Sequence, residues 1–321
     1  MLDAASESRS STFDCALIIL NPTSGQHEVE DSLKTIAEIL EAHEIKFDYK
    51  LTQGEGDATN WAKEAQGRYD LIVAAGGDGT VMEVIAGLIE ADSHLPVLIA
   101  PLGTGNILSR VVDLPLSLQG ALKASLAGEP RDFDVGHLVS SNEYFMLSAG
   151  TGIDADVVKE ANREMKDKLG FFAYVIATLK NLGNRHSTPM VLELDGEKQE
   201  LNAHTVIVFN ASQVHLGLLE LGPGVNPHDG MLDIAVMHES SPVGTLQTLW
   251  RLFTGQLKRE DEKPEHLRAK HVRLESKRKL TLQADGEELS EAVLDVEVLP
   301  KAAKLLVPSS YNAEPDAGIE V

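Results

Sequence analysis

The stretch Leu71-Ile72-Val73-Ala74-Ala75-Gly76-Gly77-Asp78-Gly79-Thr80 runs directly into Val81-Met82-Glu83-Val84-Ile85-Ala86-Gly87-Leu88. It reads as a strand, a glycine turn and an apolar helix. A short apolar run bounded by glycines suits a strand covered on both faces. The glycines carry no Cβ, so backbone N–H groups can approach a bound anion closely. The helix that follows aims its free N–H groups and positive dipole end at the same point. Asp78 is the unusual residue. A carboxylate in an anion cradle repels phosphate unless a metal ion or a hydroxyl intervenes. Mg²⁺ is usually held by one or two carboxylates plus substrate phosphates. The turn therefore reads as a nucleotide triphosphate site whose aspartate works through Mg²⁺. A tight turn carrying a solvated aspartate is the plainer alternative.

Two further turns have the same design. Pro96-Val97-Leu98-Ile99-Ala100 leads into Pro101-Leu102-Gly103-Thr104-Gly105-Asn106 and then the helical Ile107-Leu108-Ser109-Arg110. Leu17-Ile18-Ile19-Leu20 leads into Asn21-Pro22-Thr23-Ser24-Gly25-Gln26. Turns that follow parallel strands open on the carboxyl edge of the sheet, where open α/β sheets bind ligands. Three such turns point to one composite phosphate site.

Working outward, residues 15–127 alternate strand and helix patterns. Strand Ala16–Leu20 precedes a helix over Val29–Ala42, with Leu33, Ile36, Ala37 and Leu40 at helical spacing. Strand Phe47–Thr52 precedes a helix for which Asp57 is the expected cap. A helix over Leu118–Ala127 has Gly128 as its expected stop. The alternation implies a doubly wound, mostly parallel sheet. After residue 130 the pattern changes to short alternating runs: Asp132–Val139, Glu143–Leu147, Met190–Leu194, Val206–Asn210, Leu232–Met237, His271–Leu274, Leu280–Ala284 and Val293–Val298. Turns such as Asp195-Gly196 and Asp285-Gly286 join them, which predicts an antiparallel β-sandwich. Helical segments are expected near Asp156–Leu182 and Pro242–Leu257.

Composition narrows the class. The 321-residue chain is 43% hydrophobic, enough for a sizeable core in one or two domains. Its net charge of −22 and lack of a basic stripe argue against nucleic acid as a partner. No run reaches the ~18 uncharged apolar residues of a membrane span. Residues 1–12 are Ser-rich and acidic without an apolar core, unlike a signal peptide. The single Cys15 forms no internal disulfide and fits a cytoplasmic location. The eleven histidines show no metal-ligand spacing.

Asn21-Pro22-Thr23-Ser24-Gly25, Gly76-Gly77-Asp78-Gly79-Thr80 and Gly103-Thr104-Gly105-Asn106 together resemble the catalytic domain of the diacylglycerol kinase and sphingosine kinase family. The pattern is similar to that of soluble bacterial lipid kinases. The resemblance continues through Gly152-Ile153-Asp154-Ala155, Asp229-Gly230-Met231-Leu232-Asp233 and Asp285-Gly286-Glu287, about residues 14 to 308. It implies a disordered lead over 1–12, an α/β nucleotide-binding domain over 13–135 and a β-sandwich lipid-substrate domain over 136–300. A return strand over 301–310 and a disordered acidic tail over 311–321 complete this plan. The implied activity is ATP- and Mg²⁺-dependent transfer of the γ-phosphoryl group to a lipid hydroxyl, foremost diacylglycerol. The implied setting is cytoplasmic, with peripheral contact at a membrane surface. A homodimer is compatible with the pattern. Two other readings stay open: a soluble-nucleotide kinase resembling NAD kinase, and a non-catalytic lipid- or nucleotide-binding regulator. Against the first, Asn210 is followed by Ala211 rather than by Glu.

The resemblance also assigns roles. Asp285 is the implied general base, and Asp78 belongs to the Mg²⁺ network. The three turns, from Asn21, Thr23, Ser24 and Gly25 through Gly76–Thr80 to Gly103, Thr104, Gly105 and Asn106, bind ATP. Asp134 shares the Asp78 network, with a plain turn residue as the alternative. Arg110, Lys166, Lys168 and Glu287 give charge or support. Asp229, with main-chain oxygens of Asn226 and Met231, forms a structural divalent-metal loop. Two departures stand out: Ile107 where the family often has Asp, and Gln26 where it often has a basic residue. Finally, Leu246, Leu249, Trp250, Phe253 and Leu257 recur at helical spacing beside Arg251, Lys258 and Arg259. Such a stripe suits either a lipid interface or a core-packed helix.

Overall fold

In this computed structural model, residues 13–25, 28–151, 187–203, 205–211, 225–237 and 265–312 are described. Gln26, Lys166, Lys168, the Gly152–Ala155 motif and both expected helical segments, near 156–182 and 242–257, lie outside them. The chain divides into two compact units, Met1–Ser109 with Asp113–Arg131 and Lys304–Ser310, and Arg110–Val112 with Asp132–Ala303 and Tyr311–Val321.

In the first unit, the deciding stretch forms β3 (Leu71–Gly76), buried throughout, and α3 (Asp78–Glu90). Around it lie β1 (Cys15–Leu20), α1 (Val29–Ala42), β2 (Lys46–Leu51), α2 (Asp57–Lys63), β4 (Val97–Pro101), α4 (Ile107–Val111) and α5 (Leu118–Leu126). The strand order is β2-β1-β3-β4, all parallel. Alternate residues explain the double winding. Ile18, Leu20, Val73, Ala75 and Leu98 pack with Ile36 and Leu40 of α1 and Leu122 of α5. Leu17, Ile19, Ile72, Ala74 and Ile99 point to the opposite face and are also buried. Both faces are covered, so these strands read as unbroken apolar runs.

One local expectation is corrected, and the reason behind another changes. Asp57 is the first residue of α2, not its cap: its Oδ2 accepts N–H bonds from Gln53 at 2.7 Å and Gly54 at 3.0 Å. The amides of Gly56 and Ala58 donate instead to Glu83 Oε2 of α3, at 3.1 and 3.2 Å. Gly128 stands just past the C-cap Ala127, where the stop is expected, but the reason for glycine is different, since it is not in the left-handed region. Glycine is needed there for close approach, since a Cβ would stand 1.8 Å from the Val307 carbonyl oxygen.

The second unit is a sandwich of mainly antiparallel strands. One sheet contains β5 (Glu129–Leu138), β6 (Glu143–Phe145), β8 (Thr188–Leu194), β9 (Glu197–Ala203), β13 (His271–Ser276) and the start of β16 (Leu294–Val307). The other runs β12-β11-β10-β7-β14-β15, formed by Glu265–Ala269, Leu232–Met237, Thr205–Phe209, Ser148–Thr151, Leu282–Ala284 and Glu287–Leu289. Leu192, Val272, Leu274 and Val296 from the first sheet and Val206, Val208, Ile234 and Leu282 from the second share one core. Asp195-Gly196 and Asp285-Gly286 make two-residue hairpins, with φ of 49° and 91° in one and 46° and 91° in the other. Positive φ at both central residues marks the turn whose twist matches the flanking strands. The expected return strand is the end of β16, whose Leu305 pairs with Val97 of β4. Tyr311, expected in a disordered tail, is buried against Phe133 and His228.

Candidate active site

The three glycine turns of the first unit meet through main-chain bonds. Asn21 N–H donates to Ala75 O at 2.9 Å, and Leu102 N–H donates to Gly76 O at 2.9 Å. The Asn21 side chain donates to Thr80 Oγ1 at 3.2 Å and accepts from Thr23 N–H and Oγ1–H at 3.0 and 2.8 Å. Gly103 lies so close to its neighbour turn that a Cβ would stand 2.6 Å from Gly77 Cα. Among the described residues no side chain caps α3, which begins at Asp78 after an extended Gly77. Its first amides are therefore the donors a helix start offers an anion.

Asp78 reaches across to the next turn. Its Oδ2 accepts Ile107 N–H at 3.0 Å and its Oδ1 accepts Leu108 N–H at 2.9 Å, so it caps α4. The residue type at 107 is immaterial to this bond, because the donor is main chain. Asn106 sits in the left-handed region at φ 46° and donates to Gly103 O at 2.7 Å. Asn106 Oδ1 is buried and has no hydrogen-bond partner among the described residues. Arg110 is exposed on α4, Thr104 in its turn and Gly79 in the first turn of α3.

Beside the cradle is a cavity of about 280 Å³ lined by Asn21, Thr23, Thr52, Gln53, Gly54, Glu55, Ala58, Thr80 and Glu83. Sequence reading missed its β2–α2 wall. Glu83 fixes that wall through the Gly56 and Ala58 amides, and its main-chain oxygen accepts Thr59 Oγ1–H at 3.0 Å. Burial pushes the Glu83 carboxyl above its ordinary range, and the Ala58 and Gly56 amides partly offset this. The sequence signal was a Glu at the fourth position after the last turn glycine, inside the otherwise apolar run from Val81 to Ile89.

The second unit holds the other candidates. Asp285 Oδ1 accepts Leu147 N–H at 3.0 Å and Ser148 N–H at 2.9 Å, and Oδ2 accepts Met146 N–H at 2.9 Å. Its own N–H donates to Ser148 O at 2.9 Å. Three successive amides thus orient this carboxylate from a chain segment 137 to 139 residues away. Asn210, fully buried, donates to Met146 O at 3.0 Å and Asp134 O at 2.8 Å. Glu287 is exposed just past the hairpin.

Asp134 is not a turn residue. It is fully buried in β5, accepting Gly230 N–H at 2.6 Å and Lys301 N–H at 2.8 Å. It is thereby brought together with the 226–231 loop. In that loop Asn226 Oδ1 accepts His228 N–H at 3.1 Å, and Asp229 Oδ1 accepts Met231 N–H at 3.0 Å. Asp229 Oδ2 is paired with the Arg268 guanidinium, a partner not anticipated from sequence.

The fit to divalent metal differs between the two carboxylates. Asp78 spends each oxygen on one amide, and each carboxylate oxygen accepts more than one bond. Its carboxylate therefore keeps acceptor capacity of the kind a hard cation such as Mg²⁺ takes. Asp229 fits poorly, because a guanidinium already lies against its outer oxygen. Among the described residues no group of three or more His, Cys, Asp or Glu side chains is arranged to hold a metal ion.

Comparison with known proteins agrees across both units. Residues 15–138 match the model described as "Diacylglycerol kinase catalytic domain". Residues 147–307 match "YegS C-terminal NAD kinase beta sandwich-like domain". A diacylglycerol kinase of Bacillus subtilis is 30% identical over 279 residues, covering 85% of this chain and 89% of its own. A putative lipid kinase of Staphylococcus epidermidis is 24% identical, covering 94% of this chain and 98% of its own. The crystal structure of a putative diacylglycerol kinase from Bacillus anthracis superposes with a TM-score of 0.80 at 27% identity, covering 94% and 99%. On these matches the chain belongs to the diacylglycerol kinase family and is a lipid kinase of that kind.

Proposed function

We propose that the chain transfers the γ-phosphoryl group of ATP, with Mg²⁺, to the hydroxyl of diacylglycerol, yielding phosphatidic acid and ADP. The observation that carries this reading is Asp285, a carboxylate fixed by three amides in a hairpin turn. The phosphates lie along the Gly25, Gly76–Thr80 and Gly103–Asn106 turns. The nucleoside end takes the cavity between Thr52–Glu55 and Thr80. Asp78 is the residue that would hold Mg²⁺ beside the phosphates, with Asn106 Oδ1 as a second oxygen in the turn that Asp78 clamps. Bound there, Mg²⁺ would supply the charge neutralisation that phosphoryl transfer requires. Asp78 does a second job: by capping α4 it holds the second and third glycine turns in one arrangement. Asp285 accepts the proton as the lipid oxygen bonds to phosphorus and the bond to ADP breaks. Its amides spare it reorientation during the reaction. The lipid is met at a membrane surface, consistent with the Trp250 and Phe253 stripe; no described helix is long and apolar enough to cross one.

The test is ATP consumption by the purified chain with mixed diacylglycerol micelles and Mg²⁺. Phosphatidic acid formed by the parent and lost in Asp285→Asn supports the proposal. No turnover with diacylglycerol, sphingoid bases or phospholipids refutes it.

A further inference from the structure

The 226–231 loop is where the family resemblance implies a structural divalent ion, and its chemistry in this chain is different. Asp229 has two oxygens, and both are engaged: one by the Met231 amide, the other by Arg268 Nη2. Arg268 is placed there by strand register rather than by chance of rotamer. It lies on β12 directly opposite Asp233 of β11, four residues beyond Asp229. The same guanidinium turns its Nε toward Asp233 Oδ1 at 3.4 Å. His266, two residues before Arg268 on the strand, bonds the same oxygen through Nε2 at 2.6 Å.

Burial makes this arrangement more than a surface pair. The Asp233 side chain is only 2% exposed, against 28% for Asp229 and 42% for Arg268. Burial pushes the Asp233 carboxyl up, while the His266 bond and the Arg268 charge pull it back down. A buried carboxylate left without a cation is costly. A dication on Asp229 would also stand against the guanidinium, and like charges a few ångströms apart repel strongly outside bulk water.

We propose that Arg268 supplies, from within the chain, the positive charge that a divalent ion would otherwise bring to this loop, so that the second unit folds without metal. The guanidinium bridges Asp229 on the loop to Asp233 on the sheet. It ties the loop to β12 by a side chain that cannot be chelated away. This inference is independent of the substrate assigned above.

The experiment is thermal melting of the full chain, without nucleotide, in chelator and then in excess Mg²⁺ or Ca²⁺. Each condition is applied to the parent, Asp229→Asn, Arg268→Gln, Arg268→Lys and the Arg268→Gln/Asp229→Asn double variant. The parent should melt at the same temperature in chelator and in metal, or show a metal shift that persists unchanged in Asp229→Asn and so arises elsewhere. Arg268→Gln should melt about 2–4 °C lower, the shift of roughly 1 kcal/mol in a unit of this size. Arg268→Gln should also gain a Mg²⁺ or Ca²⁺ response that the double variant lacks, and Arg268→Lys should retain most of the parent stability. A metal-induced rise in the parent that disappears in Asp229→Asn would overturn the proposal. The parent and Asp229→Asn measurements decide the matter even if Arg268→Gln does not fold.

Discussion

Replacing Asp285 with Asn separates catalysis from architecture, because the structure contains an internal control. Asp195 occupies the same kind of Asp-Gly hairpin, and its Oδ1 accepts Lys270 N–H at 3.0 Å and His271 N–H at 2.9 Å. Both carboxylates brace a neighbouring segment, but only Asp285 is proposed to take a proton. Asp285→Asn keeps one acceptor for Leu147 and Ser148 yet turns an NH₂ toward the Met146 amide. Hydrogen bonds to charged groups contribute about 1.5–3 kcal/mol each, neutral ones nearer 1. Losing one and weakening two should cost about 2–4 kcal/mol. Asp195→Asn keeps the oxygen that accepts both amides and should cost about 1 kcal/mol by the same reasoning. Turnover is the discriminating quantity. Loss of a general base lowers the rate by about 10²–10⁴-fold. The assay is the initial rate at saturating ATP and diacylglycerol, well below the melting temperature of either variant. Asp285→Asn should fall by that factor and Asp195→Asn should match the parent. If the two variants lose rate only in proportion to their loss of folded protein, Asp285 is an architectural residue and the base assignment fails.

Other outcomes follow from single contacts. Gly103→Ala sets a methyl 2.6 Å from Gly77 Cα, so KM for ATP should rise about tenfold or more, ~1.4 kcal/mol, while diacylglycerol affinity is unchanged; equal effects on both substrates would contradict the cradle. Glu83 has its carboxyl raised by burial, so its stability contribution is complete below the ordinary range of about 4.3 and is lost as pH rises through the raised value. Melting temperatures from pH 4 to pH 8 should therefore show the parent losing stability relative to Glu83→Gln as pH rises; a constant difference would sink that reading. The Trp250→Ala/Phe253→Ala double variant decides between the two readings of that stripe: weaker vesicle binding at an unchanged melting temperature marks a lipid interface. If those rings are core residues, truncation costs about 3–5 kcal/mol each and the melting temperature drops.

What was legible in the sequence had a strong local signature. β3, β1 and β4 are apolar on both faces, so their runs announced a covered parallel sheet. The Asp285-Gly286 turn announced its hairpin. β9, Glu197-Lys198-Gln199-Glu200-Leu201-Asn202-Ala203, was invisible because it is largely exposed at a sheet edge and carries no apolar alternation. β15 and β12 are short and polar, and β7, Ser148-Ala149-Gly150-Thr151, is built of small residues. β16 read as two strands because Pro300 and a left-handed Lys301 interrupt its pattern. The site residues were found by type and spacing, but their partners were not. Asp78 bonds amides 29 and 30 residues away, and Asp229 pairs with an arginine 39 residues on. Such pairings depend on strand register, which a single sequence does not encode locally.

The central claim is tested most directly by one reaction. The purified chain is given ATP labelled at the γ-phosphate, Mg²⁺, NAD and a total lipid extract together, and the labelled products are separated. The account predicts label in phosphatidic acid, absent when diacylglycerol is removed from the extract. Label in NADP, or in no lipid at all, would contradict it.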